Sequence, residues 1–388
     1  MSKWEMVTLN TVCSLITDGT HQTPQYAEKG YMFLSSKNVT TGKINWEDIK
    51  YIPEDLHNQL YTRIAPQIGD VLLAKNGTTG IAAVVDKDYV FDIYVSLALL
   101  RPKDFILSEF LLHAINNPFT KRKFNRELKG IGVPNLHLRN IRETTIPLPP
   151  IETQKHIAKT LDTAAELLAM RKQQLAELDN LIKSTFYDMF GDPVVNTQGW
   201  EKILLGDLIK EIKYGTSTPP VFTDSGYCFI RATNIKRGRI TENDMKYISE
   251  GEATKISKCK LKLGDLIIVR SGVNTGDTCV ITEKYLGQYA GYDLIITPNQ
   301  ELLDSYYLNE LINTTYMERV VKPLTRRAAQ PHLNAEQTKN LPIIVPPIEL
   351  QTQFATIVTQ IEEQKALVKK AIDETQHLFD SLMSEYFE

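Results

Sequence analysis

The sequence predicts an α+β protein: two related globular domains joined by two long helices that pair antiparallel as a coiled coil. Three observations predict it. The 388-residue chain repeats itself in the order module, helix, module, helix. Each module reads as short apolar runs punctuated by glycine, asparagine and threonine. Each segment that follows a module carries apolar residues at alternating four and three spacing.

The first module spans 1–147 and the second 193–345. "KWEMVTL" answers "GWEKILL", with Trp4 on Trp200, and "DGT" (18–20) answers "YGT" (214–216). "GYMFLSSKNVTTGKI" (30–44) falls on "GYCFIRATNIKRGRI" (226–240), and "IGDVLLAKNGTTG" (68–80) on "LGDLIIVRSGVNTG" (263–276). "GVPNL" (132–136) answers "AQPHL" (329–333). "GDVLLAK" and "GDLIIVR" read as buried strands entered through a Gly-Asp turn. "SEFLLHAINNPFTKRKF" and "SYYLNELINTTYMERVV" have helical spacing, so each module is expected to set helices against a curved or barrel-like sheet.

The helical segments span 148–192 and 346–388. Both open Pro-Pro-Ile-Glu-x-Gln, and a shift of 197 positions lays Pro150 on Pro347, Gln154 on Gln351 and Phe190 on Phe387 without a gap. Proline suits the first turn of a helix, which leaves its N–H unpaired anyway. The seam of the first helix is Ile157, Leu161, Ala164, Leu168, Leu175, Leu178 and Ile182. That of the second is Phe354, Val358, Ile361, Val368, Ile372, Phe379 and Leu382. A helix over 152–189 would be roughly 57 Å long. One such stripe cannot stay in water alone, and the simplest partner for each helix is the other. Arg171 and Lys365 interrupt the seam; their stems are expected along the groove, with the charges in water, and a register-fixing role is the alternative.

Composition excludes several classes. The start "MSKWEMVTLN" has no basic region followed by an apolar run, so no secretory leader is expected, and no stretch approaches a membrane span. Cys13, Cys228, Cys259 and Cys279 are scattered, without CxxC or zinc spacing; reduced cytosolic thiols are expected. The net charge of −3 is unevenly spread: each module carries +2, and the helical segments carry −2 and −5. A P-loop is missing, because Gly42-Lys43 lacks the upstream glycine and the following Ser/Thr. "INNPF" (115–119) lacks the second proline of an amino-methyltransferase loop. "ELK" (127–129) lies in a charged helix tail without the partner aspartate of a nuclease, and "EQK" (363–365) lies within the long helix; both read as solvated surface. The seven histidines are isolated, and no Ser/His/Asp or Cys/His arrangement can be read. No metal site and no catalytic residue are expected.

The duplicated plan, the Pro-Pro-Ile-Glu-x-Gln openings and the Gly-Asp-hydrophobic strand followed by Lys/Arg-x-Gly resemble the specificity subunit of type I restriction-modification systems. The resemblance covers essentially the whole chain. It implies two target recognition domains, each reading one half of an asymmetric bipartite site on double-stranded DNA, in a bacterial or archaeal cytoplasm. It also implies that the helices set the spacing and dock two modification (methyltransferase) subunits. S-adenosylmethionine would then sit on those partners, and ATP and magnesium on a restriction/translocase subunit. Alternatives stay open: a DNA-targeting or inhibitory subunit of another defence complex, an autonomous DNA methyltransferase, or a scaffold unrelated to DNA.

If the modules read DNA, base discrimination needs Arg or Lys for guanine and Asn or Gln for adenine, while hydroxyls and cations hold phosphates. In the first module these types gather at Thr20, His21 and Gln22; Lys37 and Asn38; Lys75, Asn76, Thr78 and Thr79; and Asn135, His137 and Arg139. In the second they gather at Thr216 and Ser217; Arg231, Thr233, Asn234, Lys236, Arg237 and Arg239; Arg270, Ser271 and Asn274; and Arg326, Arg327, Gln330, His332 and Asn334. The loops after "GDVLLAK" and "GDLIIVR" are the strongest candidates, with Lys75 and Arg270 expected to point outward from the strand ends. The run "TKRKFNR" (120–126) is read equally as a phosphate contact or a solvated helix face.

Overall fold

The computed structural model describes residues 4–127, 135–325 and 332–388. The chain divides into two compact units. One is Met1–Lys172 with Ala371–Glu388; the other is Gln173–Lys370. The division between these units falls inside the long helices, Ile151–Phe190 and Ile348–Phe387. The reason is packing: each end of each helix buries its apolar face in the core of a module.

In the first unit the central antiparallel sheet runs in the order Cys13–Asp18, Leu97–Pro102, Val71–Ala74, Ala82–Val84. A second sheet orders Lys50–Ile52, Tyr31–Leu34 and Phe91–Ile93, the last pair parallel. Met6–Thr8 pairs with Thr145–Pro147. Val71 to Ala74 and Leu97 to Leu100 are wholly buried, so these strands read as continuous apolar runs without alternation. The Gly-Asp turn before Val71 needs a left-handed residue, and Gly69 sits at φ +85°. Asp70 then accepts from the Gln67 N–H at 2.9 Å and from two nitrogens of Arg101 at 2.8 Å each.

The second unit repeats this plan with different side chains. Its central sheet orders Ile209–Tyr214, Leu294–Pro298, Leu266–Ile268 and Thr278–Val280. The companion sheet orders Phe222–Thr223, Lys246–Ile248, Tyr227–Ile230 and Tyr289–Ala290; the first of these is extra. Glu201–Leu204 pairs with Pro342–Val345. Gly264 repeats the left-handed turn at φ +76°, and Asp265 accepts from the Lys262 N–H at 2.8 Å.

Within each unit the beginning of one long helix meets the end of the other, so the two run antiparallel. In the first unit Ile157 and Leu161 share a core with Met383 and Phe387, and Phe379 and Leu382 pack against it. In the second, Ile182, Phe186 and Phe190 share a core with Phe354, Val358 and Ile361, and Leu178 packs against it. Ala164 is buried; Leu168, Leu175, Val368 and Ile372 are half-buried. The Phe110 and Phe387 rings lie 5.6 Å apart, as do Phe186 and Phe354. Lys365 corrects one expectation. Its ammonium does not reach water: the residue is 3% exposed, and Nζ donates to Asp179 Oδ1 at 2.5 Å and to Glu362 Oε1 at 2.7 Å.

The repeated Gln154 and Gln351 explain the duplicated helix openings. Gln154 Oε1 accepts from the Leu107 N–H at 3.0 Å, while Nε2 donates to the carbonyls of Phe105 and Pro149 at 3.0 and 2.9 Å. Gln351 does the same for Asp304 N–H, Leu302 and Pro346 at 2.9, 3.2 and 2.8 Å. Both side chains are fully buried. Only an uncharged amide supplies both a donor pair and an acceptor at such a site. The motif is thus a clamp between the helix start and the loop before the module's own helix. Among the described residues, no helix is long and apolar enough to cross a membrane.

Candidate nucleic-acid interface

The loops after the two buried strands are built alike. Each is closed by one antiparallel bridge, Asn76 with Asn135 and Ser271 with His332. In each, the strand-end basic residue accepts an N–H on its carbonyl: Leu136 N to Lys75 O at 3.0 Å, and Leu333 N to Arg270 O at 2.8 Å. The two segments that the sequence places far apart are therefore one surface in each module.

The side chains at equivalent positions differ. Lys75 does not point outward; it is 4% exposed, and its Nζ donates to buried Asp18 at 2.5 Å. Asp18 also faces His21 at 3.4 Å and Arg63 at 3.7 Å. Arg270 is likewise held in place. Its guanidinium carbon lies 4.6 Å from the Tyr214 ring centre and 4.2 Å from that of Tyr292, and Nη2 donates to His332 Nε2 at 2.7 Å. Beneath it, Asp293 Oδ1 accepts the Arg270 N–H at 3.1 Å, and Oδ2 has no hydrogen-bond partner among the described residues. Burial raises the Asp293 carboxyl to about 6, against the downward pull of Arg270.

Several other nominated residues serve the fold instead. Asn38 and Asn234 are buried turn clamps: Oδ1 accepts the N–H of Ser35 or Arg231, and Nδ2 donates to the carbonyl of Asp48 or Asn243. Asn334 caps the helix Ala335–Lys339 by accepting from the Gln337 N–H at 2.8 Å. Asn274 turns inward, its Nδ2 donating to Ala232 and Ile235 carbonyls at 3.2 and 3.3 Å. Arg231 donates to Asp244. Arg239 pairs with Glu310 of its own module at 2.6 Å and reaches Glu362 of the second long helix at 2.8 Å. The asparagines satisfy backbone groups and the two arginines pair with carboxylates, and sequence alone does not distinguish either task from a ligand contact.

Exposed residues remain on both modules. They are His21, Gln22, Lys37, Thr78 and His137 on the first, and Ser217, Thr233, Lys236 and Arg237 on the second. Arg139 is exposed but pairs with Glu143. Thr20, Asn76, Thr79, Asn135, Thr216, Ser271 and His332 are half-buried. The Oδ1 atoms of Asn76 and Asn135 have no hydrogen-bond partner among the described residues. Arg326, Arg327 and Gln330 lie outside the described residues. In the basic run, Lys123 donates to Thr145 and Arg122 stacks over Phe119. Thr216, Ser217, Arg231, Thr233, Ser271 and Asp293 line one open cavity of about 540 Å³ in the second module. Sequence reasoning missed Tyr214, Tyr292, Asp293 and Asp18, whose importance lies in what they hold. Among the described residues no cluster of His, Cys, Asp and Glu is placed to hold a metal ion.

A family profile described as the type I restriction modification DNA specificity domain matches residues 1–180 and again 197–376. The chain is 21% identical to the EcoKI specificity subunit of Escherichia coli K12, over 99% of this chain and 88% of that one. It is 22% identical to the StySPI specificity subunit of Salmonella potsdam, over 98% and 86%. Its fold is similar to the crystal structure of the type I restriction-modification S subunit from M. genitalium, with a TM-score of 0.64 at 14% identity, covering 100% of this chain and 96% of that one. With both of its halves matched in succession, the chain belongs to the type I restriction modification DNA specificity family.

Proposed function

We propose that each module reads one half of an asymmetric bipartite DNA site, and that the paired helices fix the spacing between halves. One observation carries this reading. Two backbone frames with the same strand order and the same loop bridge hold different side chains at equivalent positions: Lys75 on Asp18 in one, Arg270 between two tyrosines in the other. Equal frames with unequal loops are what two different half-sites require. Two half-sites one turn apart, ~34 Å centre to centre, present the same face of the duplex.

The helices would also offer their outer faces to two modification subunits, which would carry S-adenosylmethionine and methylate adenine. A restriction subunit with ATP and magnesium would join the same complex. The chain itself would catalyse nothing. Methylation mapping in cells with and without this chain tests the proposal. The expected result is loss of one bipartite methylated motif; an unchanged methylome would refute it. S-adenosylmethionine bound by the isolated chain would favour an autonomous methyltransferase instead.

A further inference from the structure

The loop 270–276 of the second module presents an aliphatic side chain where polar ones were expected. Val273 is 102% exposed. Lone exposed apolar residues are common on surfaces and need no explanation by themselves. Here the surroundings single it out, because the loop around it is prebuilt. Gly276 N–H donates to Val269 O at 2.8 Å, Asp277 N–H to Asn274 O at 2.9 Å, and Thr275 Oγ1 to Gly272 O at 2.6 Å. Asn274 points inward, as described. Gly272 takes φ +92° at the tip with open space around it, so its backbone can approach a partner closely. The Asn274 and Thr275 side chains are spent holding the loop's shape, and the isopropyl group is what its tip shows outward.

A hairpin beside this loop carries two cations. The hairpin Ile235–Lys236 with Arg239–Ile240 turns through Arg237 and Gly238, both at positive φ. It is bonded to the loop: Asn274 Nδ2 donates to Ile235 O, and Arg237 N–H to Asp277 Oδ2 at 3.4 Å. Lys236 and Arg237 are exposed beside it. An aliphatic tip on a rigid turn, beside a hairpin with two exposed cations, matches a duplex groove edge: phosphates for the cations and an apolar spot for the tip. The apolar spot that the major groove offers is the C5 methyl of thymine. Valine suits such a contact because its branched side chain is stiff at χ1. The corresponding loop of the first module is one residue shorter and carries Thr78 at its exposed tip, so the two modules differ at this point.

We infer that Val273 is a specificity-determining residue that recognises a thymine methyl group in the half-site read by the second module. This rests on the DNA-reading function proposed above. The probe is a duplex carrying the sequence that the full-length chain selects from a randomised library, with single thymines of one half-site replaced by deoxyuridine, which lacks the methyl. One such replacement is expected to weaken wild-type binding about fourfold, the worth of one buried methyl contact. Val273→Ala and Val273→Ser are expected to lose a similar factor on the thymine duplex and to be indifferent to that same deoxyuridine. Because Val273 is wholly exposed, neither variant removes core packing. Unchanged binding by both variants would overturn the inference, and so would a loss that leaves deoxyuridine sensitivity intact, as for a wedge between base steps. If the wild-type chain selects no sequence at all, the DNA-reading function fails first.

Discussion

Lys365 on the second long helix donates to Asp179 on the first at 2.5 Å, and the lysine is buried while the aspartate side chain is 61% exposed. A charge stands in the seam where the heptad calls for an apolar residue. Its partners, Asp179 and Glu362, fix how the helices align, and Glu362 in turn accepts from Arg239 of the second module. Removing the whole charge differs from orphaning it. Lys365→Met should change stability by less than about 1 kcal/mol, because a methionine stem fills the groove, whereas Asp179→Ala should cost about 1–3 kcal/mol by leaving the ammonium under-paired. Chemical denaturation of both variants checks this; equal losses would refute a registering role.

Gln154 should be intolerant of truncation. Gln154→Ala strands the Leu107 N–H and two carbonyls in a buried site, at a cost of about 2–4 kcal/mol. Gln351→Ala should cost as much, since its bonds are the same. Thermal unfolding of the two variants measures both, and a loss at one site alone would contradict the duplicated clamp.

Asp293 makes a pH-dependent prediction. Its folded carboxyl ionises near 6, above the ordinary 3.8, because burial disfavours the charge. The folded state therefore holds more protons than the unfolded state between those values, and this group destabilises as pH rises from about 4 through 6. Asp293→Asn keeps the Oδ1 acceptor for the Arg270 N–H. The variant should gain about 1–3 kcal/mol over wild type at pH 7.5 and nothing near pH 4. A difference independent of pH would show that the carboxyl titrates normally.

Lys236 and Arg237 are exposed and without a nominated base partner, so they should act on phosphates. Lys236→Ala and Arg237→Ala should weaken selected and random duplexes alike, each lowering the slope of log affinity against log salt by about 1. Arg270→Ala should behave differently. It unseats Tyr214, Tyr292 and His332 together, so it should reduce discrimination more than random binding. Equal losses for Arg270→Ala would make it another phosphate contact.

The duplication, the helix seams and the Gly-Asp strands were legible in the sequence because they rest on periodicity and backbone geometry. Ile157 and Phe354 had to be buried wherever the helices packed. The candidate site was less legible. Asn38 and Asn234 look like base readers in a sequence, yet both clamp turns, since an amide fits either task. Lys75 and Arg270 share a strand end but meet Asp18 in one module and two tyrosines in the other, partners distant in the chain. Lys365 was misjudged because one of its two partners, Asp179, sits on the other long helix, 186 residues away in the chain. Val273 carries no donor or acceptor, so nothing in its residue type marks it as a reader of bases.

The spacing claim is tested most directly by lengthening both helices together. One heptad inserted after Leu175 and one at the facing position near Val368 keep both seams in phase and add about 10 Å. Methylation mapping should then show both half-sites unchanged and the gap between them widened by about three base pairs. An unchanged gap, or an altered half-site sequence, would contradict the account.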